Sequence, residues 1–466
     1  MKFHFSFLKF FVRLMNRLYQ GSSWEDERKG QMMRSEHYHL TCVGCGKTYR
    51  DSEEHFLLQC EADHGPSLLR SGYEARQFTI RREHPGLFRY GDWLPIRRFL
   101  DTEVKTAVFR STRLAERLGL ENLWLAFNGY WPERGAFMET CSFKELEALP
   151  VCARVPDGID KTLVVSSAGN TGRAFLQTFS RCAVPALVVV PEFALPDMWL
   201  TVERHPDVKL AVLKGDWDYF DAIQLAQRIC CLDAYFPEGG AKNIARRDGM
   251  GTVVLAAVEQ IGRIPDHYFQ SVGSGTGAVA AWEMSVRLRE DGRYGRHKMR
   301  LHLVQNEPFA VMSDAWNAGR RELEPLEERS AKQRIARLYS PMLSNRKPPY
   351  SIAGGVFDAL SESDGRMYAV AGEEALLAGW LFETLEGCDL DPAAEVALAG
   401  LVRAIRQGKI CRSDVVLLNL TGGGKSRLEL ERKVSRVEPD FVFTSKDPGP
   451  RQLEKTLAAS PAKMPA

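Results

Sequence analysis

Three loops of small residues and one lysine upstream of them hold most of the chemistry this chain could perform. Ser166-Ser167-Ala168-Gly169-Asn170-Thr171-Gly172 runs from a strand into a helix and offers hydroxyls and backbone N–H groups to an anion, although alone it would read as an ordinary polar helix cap. Gly273-Ser274-Gly275-Thr276-Gly277 is richer in glycine, which lets a phosphate come close to the backbone. Thr421-Gly422-Gly423-Gly424-Lys425-Ser426 resembles the end of a nucleotide-binding P-loop, but Asn419 stands where that motif needs its first glycine, so ATP is not indicated. Lys144, in Cys141-Ser142-Phe143-Lys144-Glu145, is an amine suited to nucleophilic and base chemistry if its pKa is lowered. A lysine beside a glutamate is more often half of a solvated pair. Read with Ala278, the second loop also satisfies a loose dinucleotide fingerprint with Glu307 as a ribose acceptor. A nicotinamide oxidoreductase is therefore a rival reading, under which Lys144 is incidental.

A fourth set lies near the start of the chain. Cys42-Val43-Gly44-Cys45, followed by Cys60 and then His64 or Asp63, supplies the ligand types of a tetrahedral zinc site. The alternative is a ribbon held by hydrophobic contacts, with metal-free thiols.

These loops need strands that end at them. Short β-branched runs at 163–165, 186–190, 209–213, 268–272, 301–304, 367–370 and 415–420 alternate with helix-length stretches such as 221–230, 251–261, 278–289 and 373–385. Each of the three loops follows one of these runs, where an α/β sheet presents its ligands. The alternation predicts an α/β protein with two doubly wound parallel-sheet domains. Residues 74–150 and 265–435 are assigned to a larger domain and 151–264 to a smaller one. An extension (1–35) and a small, separate, ribbon-like cysteine module (36–73) precede them, and a tail (436–466) follows that reads as unpacked.

Composition narrows the function classes. Lys plus Arg (62) balances Asp plus Glu (60) in 466 residues, leaving a net charge of +2 and no electrostatic reason to expect nucleic acid as a partner. The ten cysteines are scattered rather than spaced as a secreted framework, which predicts reduced thiols and a cytoplasmic location. Residues 1–19 mix Phe and Leu with Lys2, Lys9, Arg13 and Arg17; they read either as a basic amphipathic helix on a membrane surface or as residues preceding a true start at Met32 or Met33. The stretch is too short and too charged to span a bilayer, so no stable membrane insertion is expected.

Ser-Phe-Lys (142–144), then Ser-Ala-Gly-Asn (167–170), then the glycine loop at 273–277, then the Thr-Gly turn at 421–424 follow the order of the tryptophan-synthase-like, fold type II pyridoxal-phosphate enzymes. The chain resembles that superfamily from about Ala107 to Arg427. The resemblance implies that Lys144 carries pyridoxal 5′-phosphate as a Schiff base and moves the Cα proton. It also implies that Asn170 bonds the cofactor's 3-oxygen, that Gly273, Ser274, Gly275, Thr276 and Gly277 cradle its phosphate, and that Thr421 stands beside the pyridine nitrogen, as in the threonine-synthase branch. A neutral hydroxyl there leaves the ring nitrogen unprotonated and favours elimination and replacement over transamination.

The segment Phe109–Gly119 and the cysteine ribbon are similar to threonine synthases. The lysine segment is not: instead of Ser-Phe-Lys-Asp-Arg-Gly it reads Ser-Phe-Lys-Glu-Leu-Glu within the long string 129–148. That string, with His84-Pro85-Gly86-Leu87-Phe88-Arg89-Tyr90-Gly91-Asp92-Trp93-Leu94-Pro95, resembles the cysteate synthases, and the likeness extends over about His37 to Arg427. It implies replacement of the phosphate of O-phospho-L-serine by sulfite through an aminoacrylate, giving L-cysteate and phosphate, in a homo-oligomer. Both substrates are anions, so Arg110, Ser111, Arg134, Ser167, Thr171 and Arg173 are candidate ligands by position, although each arginine alone is more often a salt-bridge partner. Trp131 and Phe137 are read as core more readily than as pocket wall. Three readings compete with this one: a threonine synthase or other β-replacing relative with a different nucleophile, the oxidoreductase, and a non-catalytic ligand sensor.

Overall fold

A computed structural model describes residues 37–51 and 56–458, and both readings of the first 35 residues fall outside it. In chain order the principal strands are β1 (Tyr38–Cys42), β2 (Thr48–Tyr49), β3 (Leu69–Tyr73), β4 (Ala107–Arg110), β5 (Asn122–Phe127), β6 (Thr162–Ser166), β7 (Ala186–Pro191), β8 (Val208–Leu213), β9 (Tyr235–Pro237), β10 (His267–Ser271), β11 (Arg300–Asn306), β12 (Arg366–Val370), β13 (Val415–Leu420) and β14 (Phe441–Phe443). The helices that matter to the site are α1 (Glu145–Arg154), α2 (Asn170–Cys182), α3 (Tyr219–Ile229), α4 (Ile244–Ile261) and α5 (Thr276–Asp291).

Among the described residues the larger sheet runs β12-β11-β10-β13-β5-β4, parallel except for the antiparallel edge strand β4. The smaller sheet runs β9-β6-β7-β8-β14 and is parallel throughout. All six residues of β7 and all six of β13 are buried. Such continuous apolar strands are stable only with helices covering both faces. Chain order reverses beside β10: β11 and β12 extend the sheet on one side, while β13 returns to the other. A crevice at the carboxyl ends of the strands opens at such a reversal.

Three expectations change. First, α4 was assigned with the smaller domain by the division at 264, yet it is buried over Ile244–Val258 and packs in the core of the larger sheet with α5. A helix buried on every side, its charged Arg246, Arg247 and Asp248 included, needs packing or polar partners on every side. Second, the cysteine module is not separate. Tyr38, Leu40, Leu69 and Tyr73 join the same core. Tyr73 donates to Asp248 of α4 at 2.6 Å, and Arg154 of α1, fully buried, donates to Asp51 at 2.8 Å. Third, the tail beyond Glu438 is packed through Ala458: β14 pairs with β8, and Pro450–Ala458 forms a helix that buries Leu453. Asp440 anchors this strand by accepting from Arg204 (2.6 Å) and from the Leu210 N–H (2.8 Å). No helix among the described residues is long and apolar enough to cross a membrane.

Candidate active site

Lys144 occupies the N-cap position of α1, so its side chain leaves the helix at its first turn. The segment before it is held against the turn that follows β13: the Phe143 N–H donates to the Thr421 carbonyl at 2.9 Å, and Ser142 bridges Gly422. A Cβ on Gly422 would lie 2.7 Å from the Cys141 carbonyl, and one on Gly424 (φ +75°) 1.9 Å from that of Tyr130. The glycines that resembled a P-loop therefore admit protein backbone rather than a nucleotide. Their effect is to set Thr421 beside the lysine.

The loop after β10 differs in its donors. Gly275 (φ +78°) caps α5, and the N–H groups of Gly273, Ser274, Gly275 and Gly277 donate to nothing among the described residues. A helix start leaves such donors unpaired, and the macrodipole adds a partial positive charge there. Ser274 Oγ lies 2.8 Å from Thr276 Oγ1 and 3.3 Å from the Thr276 N–H, which fixes the shape of the turn. The loop fits a phosphate by its donor set and by its lack of side-chain bulk.

Across the cleft, Ser167 Oγ accepts from the N–H groups of Gly169 (3.1 Å) and Gly172 (2.7 Å), closing the start of α2. Asn170 is pinned by Arg173, which donates to its Oδ1 at 2.6 Å, and it donates in turn to Asp391 at 3.3 Å. The guanidinium of Arg173 also serves the carbonyls of Thr140 and Asp197, each at 3.1 Å, and stacks on Trp199. Arg173 positions Asn170; it does not reach for a substrate. Asp391 has its carboxyl raised above the usual range by burial.

The electrostatics centre on four charges: Glu147, Arg246 and Glu238 are buried, and Lys144, partly buried, opens on the cleft. Lys144 Nζ lies 3.5 Å from Glu147 Oε2, and Glu147 Oε1 accepts from the Thr171 hydroxyl at 2.8 Å and pairs with Arg246 at 3.3 Å. Arg246 donates to Glu238 from Nε at 2.9 Å. Glu147 is fully buried, so this is not the solvated pair that Lys144-Glu145 suggested. Burial holds the Lys144 amine below the usual lysine range; the Glu147 carboxylate opposes that shift and Arg246 adds to it. Glu145, one residue on, turns inward to accept from the Thr140 N–H, and burial raises its carboxyl to about 7.

One cleft is lined by Lys144, Asn170, Gly273 to Gly277 and Thr421, together with Ser167 and Thr171. Arg110, Ser111 and Arg134 do not line it. Arg110 donates to Glu121 and Asn122, Ser111 to Glu386 (2.7 Å), and Arg134 covers the rings of Phe109 and Trp131. Those three positions lie near the lysine in sequence, but β4 and the hairpin at 130–137 carry them to another edge of the sheet. Trp131 packs on Phe109 and Phe127, whereas Phe137 is exposed rather than core. Tyr219, Arg246, Asp391's neighbour Ala393 and the segment 342–345 complete the surroundings. None of these was foreseen, and only Glu147, three residues after Lys144 and thus on the same helical face, had a legible signal.

Away from the cleft, Cys42, Cys45, Cys60 and His64 place their ligand atoms within 4.8 Å of one another. Asp63 is not among them. Tyr49 bonds Cys60 Sγ at 3.0 Å and draws its thiol down to about 6, while the Gly65 carbonyl helps to raise His64 to about 9. Three sulfurs and one imidazole nitrogen are a donor set for tetrahedral zinc, whose Zn–S distance of about 2.3 Å sets ligands roughly 3.8 Å apart.

Comparison with known proteins decides the family. The family model described as pyridoxal-phosphate dependent enzyme matches residues 99–422. The chain is 46% identical over 409 residues to cysteate synthase of Methanosarcina acetivorans, covering 88% of this chain and 97% of the relative. It is 48% identical over 424 residues to cysteate synthase of Methanocella arvoryzae, covering 90% and 99%. This chain belongs to the cysteate synthase family of pyridoxal-phosphate dependent enzymes. Among solved structures, maize serine racemase shares the fold at a TM-score of 0.52 and 14% identity, over 69% of this chain and 89% of that one. A pyridoxal 5′-phosphate-dependent aspartate racemase does so at 0.50 and 16%, over 68% and 90%. Membership in the cysteate synthase family overturns the oxidoreductase reading, and Glu307 lines a different pocket, with Trp316 and Arg366.

Proposed function

We propose that this chain replaces the phosphate of O-phospho-L-serine by sulfite, releasing L-cysteate and phosphate. The observation that carries this is a single cleft lined by the amine, the carboxamide, the glycine loop and the threonine that the family's chemistry calls for. Lys144 would hold the cofactor through its amine, Gly273 to Gly277 its phosphate, Asn170 the ring's 3-oxygen and Thr421 the ring nitrogen. Bound pyridoxal phosphate supplies an electron sink that acidifies the substrate's Cα and lets the Cβ phosphate depart. The protein's own part begins with Lys144, whose buried amine gives up its proton readily and so is free to take the one on Cα. The start of α2, where the Asn170 and Thr171 N–H groups donate to nothing among the described residues, is the surface on which a substrate carboxylate would be oriented.

The test is direct. The purified protein is expected to absorb in the violet, and mass spectrometry should detect cysteate only when O-phosphoserine and sulfite are both supplied. Lys144→Ala should abolish both signals. A violet band with another product would transfer the chain to a different β-replacing activity, such as that of a threonine synthase.

Two further features go with this reading. Zinc on Cys42, Cys45, Cys60 and His64 would tie β1, β2 and the segment leading to β3 together, so a strong chelator should lower the melting temperature of the native protein but not that of Cys45→Ser. A homo-oligomer in the cytoplasm is the expected state, checked by sedimentation and cell fractionation.

A further inference from the structure

We infer that Glu147 is the positioning residue that sets the proton affinity of Lys144, holding its nitrogen and neutralising the ammonium it becomes on taking the substrate's Cα proton. The inference rests on Lys144 being the working amine of the proposed reaction. Lys144 is the N-cap residue of α1 and Glu147 its third helical residue, positions from which side chains meet across the first turn. Glu147 Oε1 is held by Thr171 from α2 and Arg246 from α4. Glu147 Oε2 is fully buried, accepts no hydrogen bond among the described residues, and has the Lys144 nitrogen 3.5 Å away. A buried carboxylate oxygen without a donor is costly to keep, and a cation is what it would receive.

The charges around the amine fit this role. Glu147 faces Lys144 from its own helix, Arg246 from α4, Glu238 from the turn after β9, and the Tyr219 hydroxyl lies within the same group from α3. With Lys144 protonated the four formal charges cancel; with Lys144 neutral one negative charge is left over, on the carboxylate that faces it. Desolvation alone would make the amine a weak base that releases its proton at once. The adjacent carboxylate restores affinity, so the proton leaving Cα as its bond breaks comes to rest on Nζ and is available for return.

The test is Glu147→Gln, which keeps the shape and an acceptor for Thr171 while Arg246 keeps Glu238. In the holoprotein, the pH midpoint of the violet absorption band is expected to fall by about one unit, a tenfold loss of proton affinity at the Lys144 nitrogen. The rate at saturating substrate should fall with little change in KM, and Glu147→Asp should recover part of the midpoint. In the full chain without added cofactor, the pH at which Lys144 is half-acylated by an amine reagent, read by peptide mass spectrometry, should fall in the same variant. A Glu147→Gln protein whose band midpoint and half-acylation pH both match the unaltered chain would overturn the inference, leaving Glu147 a packing residue that moves only the melting temperature. A missing violet band would count against the proposed reaction, while the acylation measurement would still decide the role of Glu147.

Discussion

Two glycine-rich turns leave neighbouring strands of the larger sheet, both packed closely against protein but opposite in whether their N–H groups are paired. After β10 a Cβ on Gly273, Gly275 or Gly277 would meet Leu343 (3.0 Å), Val356 (2.4 Å) or Gln270 (2.7 Å), but the N–H groups of Gly273, Ser274, Gly275 and Gly277 stay unpaired among the described residues and the loop lines the cleft, so its donors are for a ligand. After β13 the room is already filled by the backbone of Cys141 and Tyr130, so the turn at 422–424 fastens the lysine segment to the sheet. Written as text, either could be a phosphate loop. What separates them is whether the N–H groups find partners: those of Gly423 and Gly424 donate to the Cys141 and Asp389 carbonyls, which the fold brings from far away in the chain.

The comparison predicts effects of different kind and size. Gly424→Ala combines a positive φ with a Cβ 1.9 Å from the Tyr130 carbonyl, and should cost roughly 3 kcal/mol or more of stability, seen as a large fall in melting temperature with or without cofactor. If that variant melts normally and merely binds cofactor poorly, the turn is a ligand loop after all. Ser274→Ala removes the hydroxyl that shapes the first turn, and should weaken cofactor binding by about 1 kcal/mol, a fivefold rise in Kd by fluorescence titration, with the melting temperature of the cofactor-free protein little changed.

The smallest effect concerns the opposite end of the same strands. His267 opens β10 and bonds His302 of β11 at 2.9 Å; His302 in turn bonds Tyr368 of β12 at 2.9 Å, and His267 reaches Asp414 at 3.0 Å. Burial lowers the pKa of both histidines, that of His302 well below the ordinary value. Because the folded pKa values are depressed, the native state keeps these rings neutral, and their contribution is whole above the unfolded value of about 6.5. It is lost as pH falls below that value towards the folded pKa values. His302→Gln should therefore flatten the decline in melting temperature between roughly pH 7 and pH 5 while leaving the pH midpoint of the violet band unmoved. A shift of that midpoint would show that the two ends of the strands are electrically linked.

Legibility in the sequence followed the range of the forces involved. The seven strand runs were readable because β-branched residues crowd into short apolar stretches, and each lies within two residues of a strand in the structure. Lys144, Asn170, Gly273 to Gly277 and Thr421 stood out as an ordered set through the resemblance to the fold type II enzymes, since each motif alone reads equally well as a cap or a surface pair, and the fold brings them to one cleft. The tail was misread because Pro, Lys and Ser dominate it, although the alternation Phe441-Val442-Phe443 is that of a strand with one buried face. The three residues Arg110, Ser111 and Arg134 were misjudged because nearness in sequence stood in for nearness in space.

By itself the sequence determined which elements form and the order in which the chemical groups occur along the chain, since local propensity and hydrophobic period act over a few residues. Only the tertiary structure decided that Glu147 rather than Glu145 faces the amine, that Arg173 serves Asn170, and that His64 rather than Asp63 completes the cysteine cluster. Those are choices between adjacent or chemically similar residues. Packing makes them, because only packing fixes which side of a turn or helix faces a partner far away in the sequence.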